Sequence, residues 1–187
     1  MLAFTRKLRF MPGLAAVGFF ILVIPVTAAI IGSLWVTAAA AYENVKFARG
    51  ADQMLALIAS ARDAAAKDAR FGQQPNEDVI SDLIRLGQYT ARPSNVWDGA
   101  IRATAGSPSM MRIEADLPSR ACRRLAAFFG REASEVALQK IEARGWDGVW
   151  RQIYNAPHSP SGPSMLDIDV ACGSGDNTVL ALTLQLR

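Results

Sequence analysis

From residue 10 to residue 42 no side chain carries a charge, and apolar residues dominate the run. That stretch exceeds the roughly 20 apolar residues that span a bilayer as a helix. It passes without a linker into a different pattern, in which Phe47, Ala51, Met54, Ile58, Ala61 and Ala65 recur at alternating steps of four and three. Such a stripe marks one face of an amphipathic helix, and Glu43, Lys46, Arg49, Asp63 and Lys67 fall mostly elsewhere. The two patterns together predict one continuous helix over 13–70. Its first half suits lipid, and its second half suits packing against a folded domain.

Phe71-Gly72-Gln73-Gln74-Pro75 stops this helix, because Gly accepts a left-handed cap and Pro cannot continue. Asn76 with Glu77 and Asp78 reads as an N-cap followed by acids, opening a short helix with Val79, Ile80, Leu83 and Ile84 that Gly87 closes. After a loop over 88–99, residues 100–105 form a weak strand. Met111, Ile113, Ala115 and Leu117 alternate strictly with Arg112, Glu114 and Asp116, the pattern of a half-buried strand. Pro118 and Ser119 start a helix on which Cys122, Leu125, Ala126 and Phe129 share a face, with Gly130 at its end. Residues 131–144 fit a strand or an extended helix, the strand being preferred. The span 145–164 is rich in turn residues. Leu166, Ile168, Val170 and Cys172 alternate, GSGDN turns, and Leu180, Leu182, Leu184 and Leu186 alternate again, which predicts a C-terminal hairpin.

Composition changes this picture in one respect. The 187 residues carry 20 Lys+Arg against 17 Asp+Glu, and Arg6, Lys7 and Arg9 supply the whole excess. Basicity therefore argues topology, and no nucleic-acid partner is implied. By the positive-inside rule those three residues stay cytoplasmic and the chain beyond Tyr42 crosses the membrane, into the periplasm of a bacterium. A secretory hydrophobic region runs to about 7–15 residues, so ordinary signal cleavage is the weaker alternative. Cys122 and Cys172 are the only cysteines, both in the exported part and both on inward-facing positions. They read as one disulfide, the alternative being two buried thiols.

Candidate chemistry is sparse. The single histidine, His158, lies in the loop APHSPSGPS without partners at metal-ligand spacing or a nucleophile elbow. GSGDN is no phosphate loop, since it opens no helix. No enzyme, metal site or cofactor is expected. Trp97, Trp146 and Trp150 fit core filling better than a binding groove or contact anchors, and Trp35 lies where an interfacial aromatic belongs.

In order, a basic leader ending in Gly, a long two-part helix, an antiparallel sheet and a disulfide around the C-terminal region resemble the type IV pilins, most closely the type IVb branch and its conjugation-type relatives. NVWDGAIRATAG is similar to that group's Asn-Pro-Trp-Gly-Gly segment, with Val96 for Pro and Asp98 for the first Gly. IEADLPSRACRRLAAFF resembles its strand, Leu-Pro-x-x-Cys and helix, and VACGSGDNTVLALTL its closing Cys, turn and strand.

The resemblance implies an α+β, type IV pilin-like fold: a long N-terminal helix, half transmembrane, packed on an antiparallel β-sheet, with a C-terminal region bounded by a disulfide. It implies a leader over 1–13, a membrane and filament-core helix over 14–41, and a head domain over 42–187. A prepilin peptidase would cut between Gly13 and Leu14, and the new N-terminus would be methylated. A cut after Gly18, exposing Phe19, is the alternative. Pro25 would loosen the helix as it leaves the bilayer, or stand as a tolerated kink in a transmembrane helix. Partners would be other pilin subunits and the inner membrane, with no nucleic acid. The sequence departs from the family at the fifth mature position, which carries Gly18, or Val23 on the alternative cut, where most pilins carry Glu. No acid precedes Glu43. This points to a minor or tip subunit, with a non-polymerising, membrane-anchored component of an assembly platform or sensor as the alternative. An anchored periplasmic hydrolase is a third class, which no constellation of residues supports.

Overall fold

In a computed structural model, residues 12–186 are described except 69, 73, 91–93, 108, 159–161 and 176, and side chains are described from Pro25 onward except that of Ser107. The helix α1 (Pro12–Lys67) covers 56 residues with Pro25 inside it. The chain divides into two units, Met1–Asn44 and Val45–Arg187.

In the second unit, the buried stripe of α1 is Ala51, Met54, Ile58, Ala61 and Ala65, joined by Leu57 and Ala64, with Phe47 half-buried at its start. α2 (Val79–Arg85) follows, then β1 (Ile101–Ser107), β2 (Met110–Leu117), α3 (Ser119–Arg131), β3 (Leu138–Arg144), β4 (Trp150–Asn155), α4 (Met165–Cys172) and β5 (Thr178–Gln185). The strands form one sheet in the order β1-β2-β5-β3-β4, every pair antiparallel. The chain is therefore α+β, and its last strand sits at the centre of the sheet.

The inner face of that sheet is the strict alternation in the sequence made physical. Ala103, Ile113, Leu182, Ile141 and Tyr154 lie opposite one another in a single cross-strand row. All five are buried, and they share one core with Leu57 of α1, Leu83 of α2 and Leu125 and Phe129 of α3. Apolar positions at period two on the strands and at steps of three and four on the helices thus converge on one interior.

Four local expectations are corrected. Residues 166–172 form α4 and not the first strand of a hairpin. Both edges of β5 are already taken, by β2 and β3, so no hydrogen-bonding edge is left for a strand there. Ser164 caps the helix instead: its Oγ accepts from the Asp167 N–H at 3.1 Å and donates to Asp167 Oδ2 at 2.6 Å. The buried residues Ile168, Ala171 and Cys172 have helical spacing, while Leu166 and Val170 face solvent. Second, the N-cap of α2 is Asp78, whose carboxylate accepts from Ile80 and Ser81, whereas Asn76 sits at φ 66° in the preceding turn. Third, the turn-rich span 145–164 contains β4. Fourth, α1 ends at Lys67, with Gly72 at φ 67° in the turn beyond. In the open case of 131–144, the strand occupies 138–144 and turns precede it.

Two fixings hold the unit. Cys122 on α3 and Cys172 at the end of α4 are bonded, with Cα atoms 5.8 Å apart across a separation of 50 residues. Buried Asn95 fastens the loop before β1. Its Nδ2 donates to the Asp116 carbonyl at 2.7 Å, and its Oδ1 accepts from the N–H groups of Trp97 and Gly99 at 2.8 and 3.1 Å. This draws Gly99 so close to β2 that a Cβ would lie 1.9 Å from the Asp116 carbonyl oxygen. Trp97 in turn lies on Gly50 of α1, where a Cβ would stand 2.5 Å from its ring.

Reducing the disulfide should lower unfolding free energy by about 4 kcal/mol on the chain-entropy model for a loop of this length. Denaturant titration with and without reductant checks this. Gly99→Ala should cost more than about 2 kcal/mol, since the obstacle is backbone and cannot swing away; the same titration reads it.

Candidate functional site

In the first unit, the described part of α1 presents exposed apolar side chains. Val26, Ile30, Ile31, Leu34, Trp35, Val36 and Tyr42 are all exposed, Trp35 by 73%. The helix is long and apolar enough to cross a membrane, and its most apolar window is wholly unburied within the protein. Its few polar groups are satisfied locally: the Ser33 hydroxyl donates to the Ile30 carbonyl at 2.8 Å, and that of Thr37 donates to those of Ser33 and Leu34. That self-sufficiency is what a helix needs where water is absent. The backbone is helical at Gly13, Leu14 and Gly18 and on both sides of Pro25. The leader residues 1–11, with Arg6, Lys7 and Arg9, lie outside the described residues.

The outer face of the sheet is a lattice of charges. Arg112 donates to Glu114 at 2.8 Å and to Glu142 at 2.7 Å, and Lys140 pairs with Glu142 at 2.7 Å. Arg112 and Arg144 both lie over the Trp150 ring, at 4.5 and 5.0 Å. These side chains close over the small Ala181, which is buried although it faces outward between Glu114 and Glu142. Burial pushes the Glu142 carboxyl upward, but hydrogen bonds from Lys140 and Arg112 outweigh it and hold the group below the usual carboxylate range. Asp147 is held down to about 2 by hydrogen bonds from Arg151 and the Val149 N–H.

The tryptophans separate. Trp97 is half-buried on Gly50 and Trp150 is half-buried against two arginines, but Trp146 is 83% exposed and fills no core. Its place between Gly145 and Gly148 at a hairpin tip was the available signal for that exposure. His158 stands exposed in a turn, its N–H donating to the Asn155 carbonyl. Among the described residues no group of His, Cys, Asp and Glu could hold a metal ion. One cavity of about 620 Å³ lies between the end of α3 and the start of α4, lined by Gly130, Arg131, Tyr154, Pro163, Met165 and Ile168. A second, of about 360 Å³, opens beside Trp146.

No family model, no curated protein and no solved structure matches the chain.

The Glu142 network sets a pH dependence. A carboxyl lowered in the folded state adds stability above its unfolded pKa and loses it as pH falls through the carboxylate range. Glu142→Gln should therefore cost about 1–2 kcal/mol at pH 7, and the difference from the parent should shrink as pH falls through and below the carboxylate range. Thermal melts across pH 2.5–7 in roughly half-unit steps check both limbs.

Proposed function

We propose that the chain is a structural subunit of a type IV pilus or a related secretion or conjugation filament. The observation that carries this reading is the change along α1. Its surface is apolar and unburied through Tyr42, and from Ala51 it becomes a stripe buried in a folded domain. Such a helix can serve first as a bilayer anchor and then as the core of a bundle, with the heads on the outside. Residues 14–41 would do the bundling after a prepilin peptidase cuts between Gly13 and Leu14, and the head would pass from the periplasmic side of a bacterial inner membrane to the cell exterior. The disulfide supports an oxidising compartment for residues 42–187.

A local detail supports the resemblance. Asp98 stands where the NVWDG motif departs from the family's glycine, and its φ is 64°, the left-handed conformation that glycine adopts freely and Asp tolerates. The motif's backbone demand is therefore met by a different residue. Gly18 gives the proposal its finer form. A subunit without an acid in its apolar run cannot compensate a neighbour's buried amino terminus, which suits a minor or tip position. The same lack of an acid favours the second reading, a membrane-anchored component that does not polymerise.

Intact mass of the protein extracted from bacterial membranes tests the choice. The pilin reading expects a chain beginning at a methylated Leu14, recovered also in sheared surface filaments. A chain that keeps residues 1–13 and stays in the membrane fraction would overturn it and leave the anchored reading.

A further inference from the structure

We propose that the head carries a carbohydrate-binding site at the tip of the β3–β4 hairpin, built on Trp146. The cavity beside this residue is lined by Trp146, Arg144, Asp116, Asn177 and Val179. Three of these fall in one cross-strand row, since Val179 of β5 pairs with Asp116 of β2 on one side and with Arg144 of β3 on the other. Val179 makes a low apolar floor, and the acid and base rise from backbones two strand spacings, about 10 Å, apart. Trp146 stands at the end of this row with its ring exposed.

The tip is held in shape. Arg151 donates to both Asp147 carboxylate oxygens, at 3.0 and 2.5 Å, and the Val149 N–H donates to Asp147 at 3.1 Å. Gly148 takes φ 72°, and its N–H donates to the Gly145 carbonyl. The opposite wall is held as well. Trp146 lies against Gly175, where a Cβ would stand 3.9 Å from its own, and the Gly175 carbonyl accepts from both the N–H and the Oγ of Ser119. The backbone on both sides of the ring is therefore held before any ligand arrives, which limits the ordering cost of binding.

The chemistry matches a pyranose ring better than other ligands. One face of such a ring is a set of C–H bonds that stack on the electron-rich face of an indole, and its rim offers hydroxyls that both donate and accept. Asp116 accepts, Arg144 donates, and Asn177 does both, all through planar groups suited to adjacent hydroxyls. A phosphate or nucleic acid is disfavoured by the Asp116 carboxylate in the cavity lining, whose own charge is already met by Arg102 at 3.2 Å. A lipid surface is disfavoured because the basic groups near the ring are already engaged, Arg102 by Asp116, Arg151 by Asp147 and Arg144 by the Trp150 ring.

The test uses the full chain in phosphocholine micelles, which carry no sugar, with the indole N–H groups of the four tryptophans isotopically labelled. Methyl glycosides of glucose, galactose, mannose and N-acetylglucosamine are titrated in turn. At least one should shift the Trp146 signal saturably, with Kd on the order of 1 mM, while Trp35 and Trp97 stay still. Asn177→Ala should weaken that binding about tenfold, and Trp146→Ala should abolish saturation transfer to the glycoside. Unchanged Trp97 and Trp150 signals show that both variants fold. The proposal is overturned if no glycoside gives a saturable shift, or if either variant binds as the parent does. It is also overturned if Trp146 responds only to phosphatidylcholine vesicles or to protein concentration, outcomes that assign the residue to a membrane or to a second copy.

Discussion

Strand β5 is hydrogen-bonded along both edges, to β2 on one side and β3 on the other, and most of the head follows from that. Its inward leucines, Leu180, Leu182 and Leu184, are buried at the middle of the sheet and draw helices from three separate parts of the chain onto one core. Its outward residues, Val179, Ala181 and Thr183, are short, so side chains from the flanking strands lean across them. The charged lattice around Ala181 and the row through Val179 both arise this way.

With β5 closed to further pairing, the segment before it must satisfy its backbone internally, and α4 is the result. The disulfide then joins the end of α4 to α3, and Ser119 at the start of α3 holds the turn that leads back into β5. Covalent and hydrogen-bonded fixings thus converge on one corner of the head. The turn beside Trp146 belongs to that corner.

The other feature with functional weight is the change of surroundings along α1. An uninterrupted row of exposed Val, Ile, Leu and Trp side chains is unfavourable in water, and burial of that surface is worth roughly 25 cal/mol per Å² wherever it occurs. Lipid can supply the burial, and so can neighbouring helices of the same kind. In the proposed filament, assembly would exchange one for the other. The lack of an acid before Glu43 makes α1 well suited to lipid.

Much of this was legible in the residues themselves. The two-part character of α1, the half-buried strand at 110–117, the inward face of α3 and the strand at 178–185 all follow from apolar spacing, because that spacing records which side of an element meets the core. Cys122 was legible as inward-facing for the same reason, whereas Cys172 is buried as expected but at helical spacing with Ile168 and Ala171 and not by the alternation that suggested it. Tertiary structure decided the rest. Leu166, Ile168, Val170 and Cys172 alternate as well as any strand, yet they lie on a helix, because the pairing of β5 is a long-range matter that local periodicity does not encode. Trp97, Trp146 and Trp150 are alike in a sequence. One lies on a glycine, one against two guanidinium groups and one in solvent, since each residue's surroundings are set by segments distant along the chain.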